Sequence, residues 1–259
     1  MKNHLLSTAI KAAIEAGNEI LKIYNSNDFG VEFKGDNSPL TRADKAAHNK
    51  IISYLSHTKF STLSEEGKNI SFAERKNWKT FWMVDPLDGT KEFIKRNDEF
   101  TVNIALIEKG KPIMGVVYVP VTEELFYADK NGAFKTTKGN YLSENISSSI
   151  KLPIRIEKNE YVVVGSRSHM SKETEKYIGQ LNKQDKHLKI IPKGSSLKFC
   201  QVAEGIADCY PRLGPTMEWD TAAGHAIAFF AGKTIKVYPE NNPLVYNKEN
   251  LLNPFFIVK

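Results

Sequence analysis

Six consecutive residues, Asp85-Pro86-Leu87-Asp88-Gly89-Thr90, carry the densest chemistry in the chain. They follow the apolar run Phe81-Trp82-Met83-Val84, which reads as a buried strand delivering Asp85 at its C-terminal end. Pro86 turns the chain, and Asp88 returns a second carboxylate. Gly89 frees the backbone so that the amides of Gly89, Thr90 and Lys91 can open a helix or a nest. Two carboxylates beside N–H donors suit a hard cation that bridges protein and phosphate. The carboxylate oxygens ligate the ion while the amides hold phosphate oxygens. Magnesium favours such a site, because it takes few carboxylates and keeps places for water and substrate. Asp-Pro and Asp-Gly are also ordinary turn formers, so DPLDGT alone fits a tight turn and a metal loop equally well.

Further carboxylates decide between the two. Ser64-Glu65-Glu66-Gly67 offers an acidic pair, although alone it is an acidic surface turn. Glu218-Trp219-Asp220-Thr221 places Asp220 where an apolar helix begins, a position that also suits an N-cap. Thr41-Arg42-Ala43-Asp44 resembles a capping box with Asp44 at the third helical position. One residue can cap a helix and still face a metal-bound water.

The elements that would position these groups are legible in outline. The N-terminal stretch MKNHLLSTAIKAAIEAGNEI is apolar at helical spacing and ends near Tyr24. A second helix is predicted from Thr41 to about His57, with Ala46, Ala47, Ile51, Ile52 and Leu55 on its apolar side. Strands are predicted at 81–84, from Phe100 to Ile107, and from Ile113 to Val119 after a Gly110-Lys111-Pro112 turn. In the second half, strands are expected at Tyr161–Val164 and Lys189–Ile191. A helix follows from Ser195 or Ser196 to about Gly205, and another runs from Trp219 to Ala231, closed by Gly232. Helices and strands alternate without a strict βαβ rhythm, which predicts an α/β fold of layered lobes with mixed sheets. The polar stretch SENISSSIKLPIRIEKNE places a lobe boundary near residues 143–160, giving an N-terminal lobe 1–150 and a C-terminal lobe 151–259.

Composition excludes several classes. With 41% hydrophobic and 25% charged residues among 259, the chain has the balance of a globular protein. No apolar run approaches the roughly 20 residues of a membrane span, and the N-terminus lacks the apolar block of a secretory signal. A cytoplasmic protein is the simplest inference, with peripheral attachment to the inner face of the membrane left open. Cys200 and Cys209 form no zinc or disulfide pattern and read as buried thiols. They also lack the Cys-x5-Arg loop of thiol phosphatases. The net charge of +6 is scattered lysine, a field that speeds encounter with a polyanionic small molecule. No basic run or aromatic platform points to nucleic acid.

Taken together, the acidic pair, the strand ending in DPLDGT and the later WDTAAG resemble the inositol monophosphatase superfamily of lithium-sensitive, magnesium-dependent phosphatases. The resemblance runs from the N-terminal helix to about Asn253-Pro254. Within it, DNSPLTRAD, DPLDGTKEFIKRNDEF, GSRSH and GSSLKFCQVAEGIADCYPRLGPTMEWDTAAGH most resemble the bacterial bisphosphate-nucleotidase branch. The resemblance implies alternating αβαβα layers in two lobes. It implies that Glu65, Asp85, the Leu87 carbonyl, Asp88 and Asp220 ligate two or three magnesium ions. It implies that Asp44 and Thr90, with Glu65, orient or deprotonate the attacking water, and that Gly89 and Thr90 contact the scissile phosphate. His169, Ser195, Lys198 and Arg212 match positions used around the nucleotide. The substrate implied is 3′-phosphoadenosine 5′-phosphate, cut to AMP, with its sulfated relative as a second substrate, in sulfur assimilation and nucleotide recycling. The working unit would be a monomer or a homodimer. Asp98 departs from the pattern, standing where relatives often have glycine.

Phosphate-monoester hydrolysis is extremely slow uncatalysed. Two ions roughly 3.5–4 Å apart would activate water and stabilise the leaving oxygen in an in-line displacement, with no phosphoenzyme. A broader inositol- or sugar-phosphate phosphatase is the alternative with the same metal site. A non-catalytic phosphate- or RNA-binding relative is a third reading, disfavoured because Glu65, Asp85, Asp88 and Asp220 are all present.

Overall fold

In a computed structural model describing residues 2–26, 29–33, 39–137, 149–166, 170–184 and 187–259, the N-terminal periodicity forms α1 (Lys2–Tyr24). A small antiparallel pair, β1 (Glu32–Phe33) and β2 (Pro39–Leu40), leads into α2 (Arg42–Leu55). Thr41 caps α2 as expected: its hydroxyl accepts from Ala43 N, and Asp44 returns a carboxylate to the Thr41 N–H.

The central layer has seven strands in sequential order. These are β3 (Ser61–Ser64), β4 (Thr80–Asp88), β5 (Thr101–Glu108), β6 (Lys111–Val119), β7 (Glu124–Asp129), β8 (Gly132–Thr136) and β9 (Ile150–Leu152). Only the β3–β4 pair is parallel. Two short helices, α3 (Phe72–Arg75) and α4 (Thr90–Ile94), flank β4 in sequence. Both faces of the sheet are buried, which is why its strands read as continuous apolar runs rather than alternations. Trp82, Val84, Val102, Ile104 and Leu106 face α1 and α2, while Phe81, Met83, Ala105 and Ile107 face the other way.

That second face is covered by α6 (Leu197–Glu204) and α7 (Glu218–Phe230). α7 lies so close to β6 that a Cβ on Gly115 would sit 2.5 Å from the Ala223 carbonyl oxygen. Beyond these helices lie a parallel pair, β10 (Tyr161–Ser166) with β11 (Leu188–Lys193), and a three-stranded antiparallel sheet. Its strands are β12 (Tyr210–Arg212), β13 (Ile235–Val237) and β14 (Phe256–Val258), with β14 in the middle. A bridge from Val163 of β10 to Cys209 lies just ahead of β12. The remaining helix, α5 (Lys172–Gln184), packs Ile178 against Val163, Cys209 and Ile257. The order is α1/α2, sheet, α6/α7, second sheets, α5: the expected αβαβα layering.

The segment after β13 is sewn to the start of α7. Glu218, fully buried, accepts from Asn247 N, Lys248 N and Lys248 Nζ. Asn253 Nδ2 donates to the Met217 carbonyl and to Thr221 Oγ1. Arg75 of α3 adds bonds to Asn247 Oδ1 and to the Lys248 and Glu249 carbonyls.

Candidate metal centre and active site

β4 does not stop at Asp85 as the sequence suggests. It continues to Asp88, with a register irregularity in which Asp85 pairs Asn103 and Asp88 pairs Thr101. Pro86 has no N–H to give the ladder, so the chain bulges there and both carboxylates end up at the same sheet edge. Asp85 Oδ1 accepts from Leu87 N at 3.1 Å, which closes the turn. Gly89 then adopts φ +93 and opens α4. Five residues cannot hold a helix alone. Phe93 anchors α4 in a ring cluster with Tyr24, Phe29 and Phe100, centroids 4.9–5.3 Å apart, contacts worth about 0.5–1.5 kcal/mol each.

Carboxylate oxygens of Glu65, Asp85 and Asp220 come within 4.8 Å of one another. They arrive from the end of β3, from β4 and from the first turn of α7, three elements far apart in sequence. Burial pushes the Asp85 carboxyl well up, and the charges of Glu65, Asp88 and Asp220 add to it. Asp220 is raised by burial, then by Asp88 and Glu65, although Met217 N donates to its Oδ2 at 2.8 Å. Carboxylates driven up by burial and by one another mark a shortage of positive charge. An oxygen-only donor set in that state fits a hard cation. Asp88 stands beside the trio, also raised by burial, with Asn103 Nδ2 donating to its Oδ2 at 3.2 Å.

Asp44 and Thr90 do meet. Thr90 Oγ1 donates to Asp44 Oδ1 at 3.1 Å and lies 3.4 Å from the Leu87 carbonyl. The other Asp44 oxygen takes the N–H and hydroxyl of Thr41. Burial raises the Asp44 carboxyl against those hydrogen bonds.

A sequence profile of the inositol monophosphatase family matches residues 1–254. The chain belongs to that family. It is 44% identical over 258 residues to the 3′(2′),5′-bisphosphate nucleotidase CysQ of Escherichia coli K12, covering 98% of this chain and 99% of that one. To the Haemophilus influenzae protein of the same name it is 35% identical, covering 100% and 93%. The crystal structure of CysQ from Bacteroides thetaiotaomicron superposes with a TM-score of 0.90 at 51% identity, over 97% of this chain and 95% of that one. An inositol monophosphatase from Thermotoga maritima, 24% identical with a TM-score of 0.74, shares the fold. Inositol monophosphatase family members are metal-dependent, in keeping with the carboxylate cluster.

In this inositol monophosphatase family member a cleft opens beside the cluster. Asp88, Gly89, Glu92 and Asp220 line it together with Lys198, Tyr210 and Arg212. Lys198 is buried, and burial lowers its ammonium to about 8, with Asp88 pulling it up and Arg212 pushing it down. Its Nζ donates to the Ser195 carbonyl at 2.6 Å. Arg212 donates from Nη2 to the Pro215 carbonyl, while its buried Nε has no acceptor.

Ser195 lines the cleft, but its hydroxyl is engaged on the Asp88 and Glu99 carbonyls at 2.8 and 2.6 Å. It fixes the wall rather than offering a free donor. α6 starts only at Leu197, because Ser195 sits at φ +47. His169 lies outside the described residues.

Several participants were not singled out from the sequence. Asn103 donates to Asp88 and to Ser196 Oγ, and Ser196 Oγ donates to the Asp220 carbonyl, which ties β4 to α7. The signal was present: Asn103 is a lone amide inside the buried TVNIALI strand, where an unpartnered polar group is costly. Glu99 accepts from Gly194 N and Lys193 Nζ, bracing the 193–195 segment against the β4–β5 loop. Asp98, at φ +66, receives the Tyr24 hydroxyl at 2.6 Å, so the departure noted there became an anchor to α1.

Proposed function

We propose that this chain is a magnesium-dependent 3′(2′),5′-bisphosphate nucleotidase that hydrolyses the 3′-phosphate of 3′-phosphoadenosine 5′-phosphate. The supporting observation is one cleft lined both by the carboxylates of Asp88 and Asp220 and by the cations of Lys198 and Arg212. A substrate with two phosphates needs both.

Glu65, Asp85, the Leu87 carbonyl, Asp88 and Asp220 would hold magnesium, two or three ions. Bound there, the ions supply Lewis acidity to the scissile phosphate and to water. The chain's own groups position and move the proton. Thr90 gives its hydroxyl proton to Asp44, which leaves the Thr90 oxygen free to accept from a water. Asp44, raised by burial, is the base at the end of that relay. Gly89 and Thr90, at the N-terminal turn of α4, present backbone N–H groups to the reacting phosphate. Lys198 and Arg212, which both line the cleft, receive the 5′-phosphate. Residues 1–150 form the lobe with most metal ligands, and 151–259 supply Asp220 and the nucleotide contacts.

The identities to bisphosphate nucleotidases support this substrate over an inositol phosphate. The deciding assay measures phosphate release from the bisphosphate and from inositol 1-phosphate side by side, with magnesium, with EDTA and with lithium. Preference for inositol 1-phosphate would overturn the assignment.

A further inference from the structure

A second cleft, sharing no lining residue with the first, opens toward the C-terminal end of α7. It has a cavity volume of about 290 Å³ between α7 and the segment from Lys233 to Val245, at the small end of the range for small-molecule sites. Phe229 and Val245 line it and remain 55% and 46% exposed, although both are large and apolar. Lys111, Lys233 and Lys236 also line it, and no acidic residue does. None of the three ammonium groups has an ion pair among the described residues.

The floor of the cleft holds His225, only 7% exposed. Its Nδ1 lies 3.0 Å from the Tyr246 hydroxyl. Thr221 gives its proton to the Glu218 carbonyl, so Tyr246 spends its single proton on Thr221 Oγ1 at 3.2 Å. With those directions, the Tyr246 oxygen accepts from Nδ1–H of His225. This assignment leaves Nε2 as a lone-pair acceptor with no protein partner among the described residues. Nε2 is not among the fully enclosed polar atoms that lack a partner, so it is reached from the cleft. Burial holds the ring neutral, its pKa lowered to about 3.

We propose that this cleft binds a small aromatic anion bearing one N–H or O–H donor. The ring lies on Phe229 and Val245, the donor meets His225 Nε2, and the acidic group meets the lysines. A second copy of the chain is a poor occupant, because a two-fold contact through this patch would set one group of lysines against its twin.

The test uses the full chain and 8-anilinonaphthalene-1-sulfonate, which carries an aromatic body, one N–H and a sulfonate. Fluorescence titration is expected to give saturable one-to-one binding that survives saturation of the phosphatase cleft with AMP. Lys233→Glu combined with Lys236→Glu should weaken binding about tenfold or more, as should replacing the probe by uncharged N-phenyl-1-naphthylamine. Phe229→Gln, at an exposed position, should weaken it comparably, with circular dichroism confirming the fold of each variant. Backbone amide shifts should concentrate at Lys233, Ile235 and Val245. Displacement by AMP, equal affinity for the uncharged probe, or indifference to the lysine reversals would each overturn the proposal.

Discussion

Gly89 and Ser195 meet with no room between them: a Cβ added to Gly89 would overlap Ser195 Oγ. The hydroxyl cannot step aside, because two backbone carbonyls, those of Asp88 and Glu99, hold it. Gly89→Ala should therefore cost both the left-handed φ of +93 and a displaced cleft wall. We expect kcat/KM to fall about a hundredfold, since small misplacements at a reacting centre have that scale. Adding Ser195→Gly, which suits the positive φ there, should return part of the loss. A strictly additive double mutant would show that the contact is not the cause.

The carboxylate cluster predicts opposite effects on stability and activity. In EDTA, Asp220→Asn should unfold at or above the wild-type temperature, because it removes one of several crowded buried charges. Magnesium should raise the wild-type Tm, by about 2.7 kcal/mol of stability at a hundredfold excess over Kd. The variant should lose most of that shift, with kcat down by about 10²–10³, the scale of a lost electrostatic stabiliser. Differential scanning fluorimetry with and without magnesium reads both.

Lys198→Ala and Arg212→Ala should separate the two phosphates. Each is expected to raise KM for the bisphosphate by about tenfold or more, the scale of a lost charge-assisted hydrogen bond. Hydrolysis of a monophosphate lacking the second anion should change much less. Equal losses on both substrates would place these residues at the reacting phosphate instead.

His225 predicts an acid limit to stability. Burial lowers its pKa from 6.5 to about 3, so the unfolded chain binds the proton that the folded chain refuses. The stabilisation is complete above pH 6.5 and is lost as pH falls through the window down to about 3. Between pH 7 and 5 the loss should approach ~2 kcal/mol, from ~1.4 kcal/mol per pH unit below the unfolded pKa. Urea unfolding of wild type and His225→Gln at both pH values measures it. The Gln variant, with nothing to titrate there, should show the smaller change.

The elements that could be read from the sequence are those whose burial is strongly patterned. α1 and α2 carry apolar faces at helical spacing, and β4 and β5 are apolar on both sides because helices cover both faces of the sheet. α5 escaped notice because its sequence is mostly polar, with Thr174 and Ile178 as its buried side chains among the described residues and Gly179 inside it. The bulge at Pro86 was read as the end of a strand, since proline's missing donor looks the same in either case until the partner strand is seen. Asp44, Asp85 and Asp220 could be nominated from local motifs. Asn103 showed only as a lone amide in an apolar strand, and Ser196 and Glu99 not at all, because they hold groups 93 to 96 residues away and distance along a sequence leaves no local trace.

Glu218 and Asn253 bind the segment after β13 to the first turn of α7, the turn that carries Asp220. The seat of that carboxylate is thus completed by residues that follow it in the chain. A nascent chain exposing everything through α7 would possess every proposed catalytic side chain and still lack a rigid place for one of them. The site is therefore finished only when the segment from Asn247 to Asn253 has docked on the start of α7.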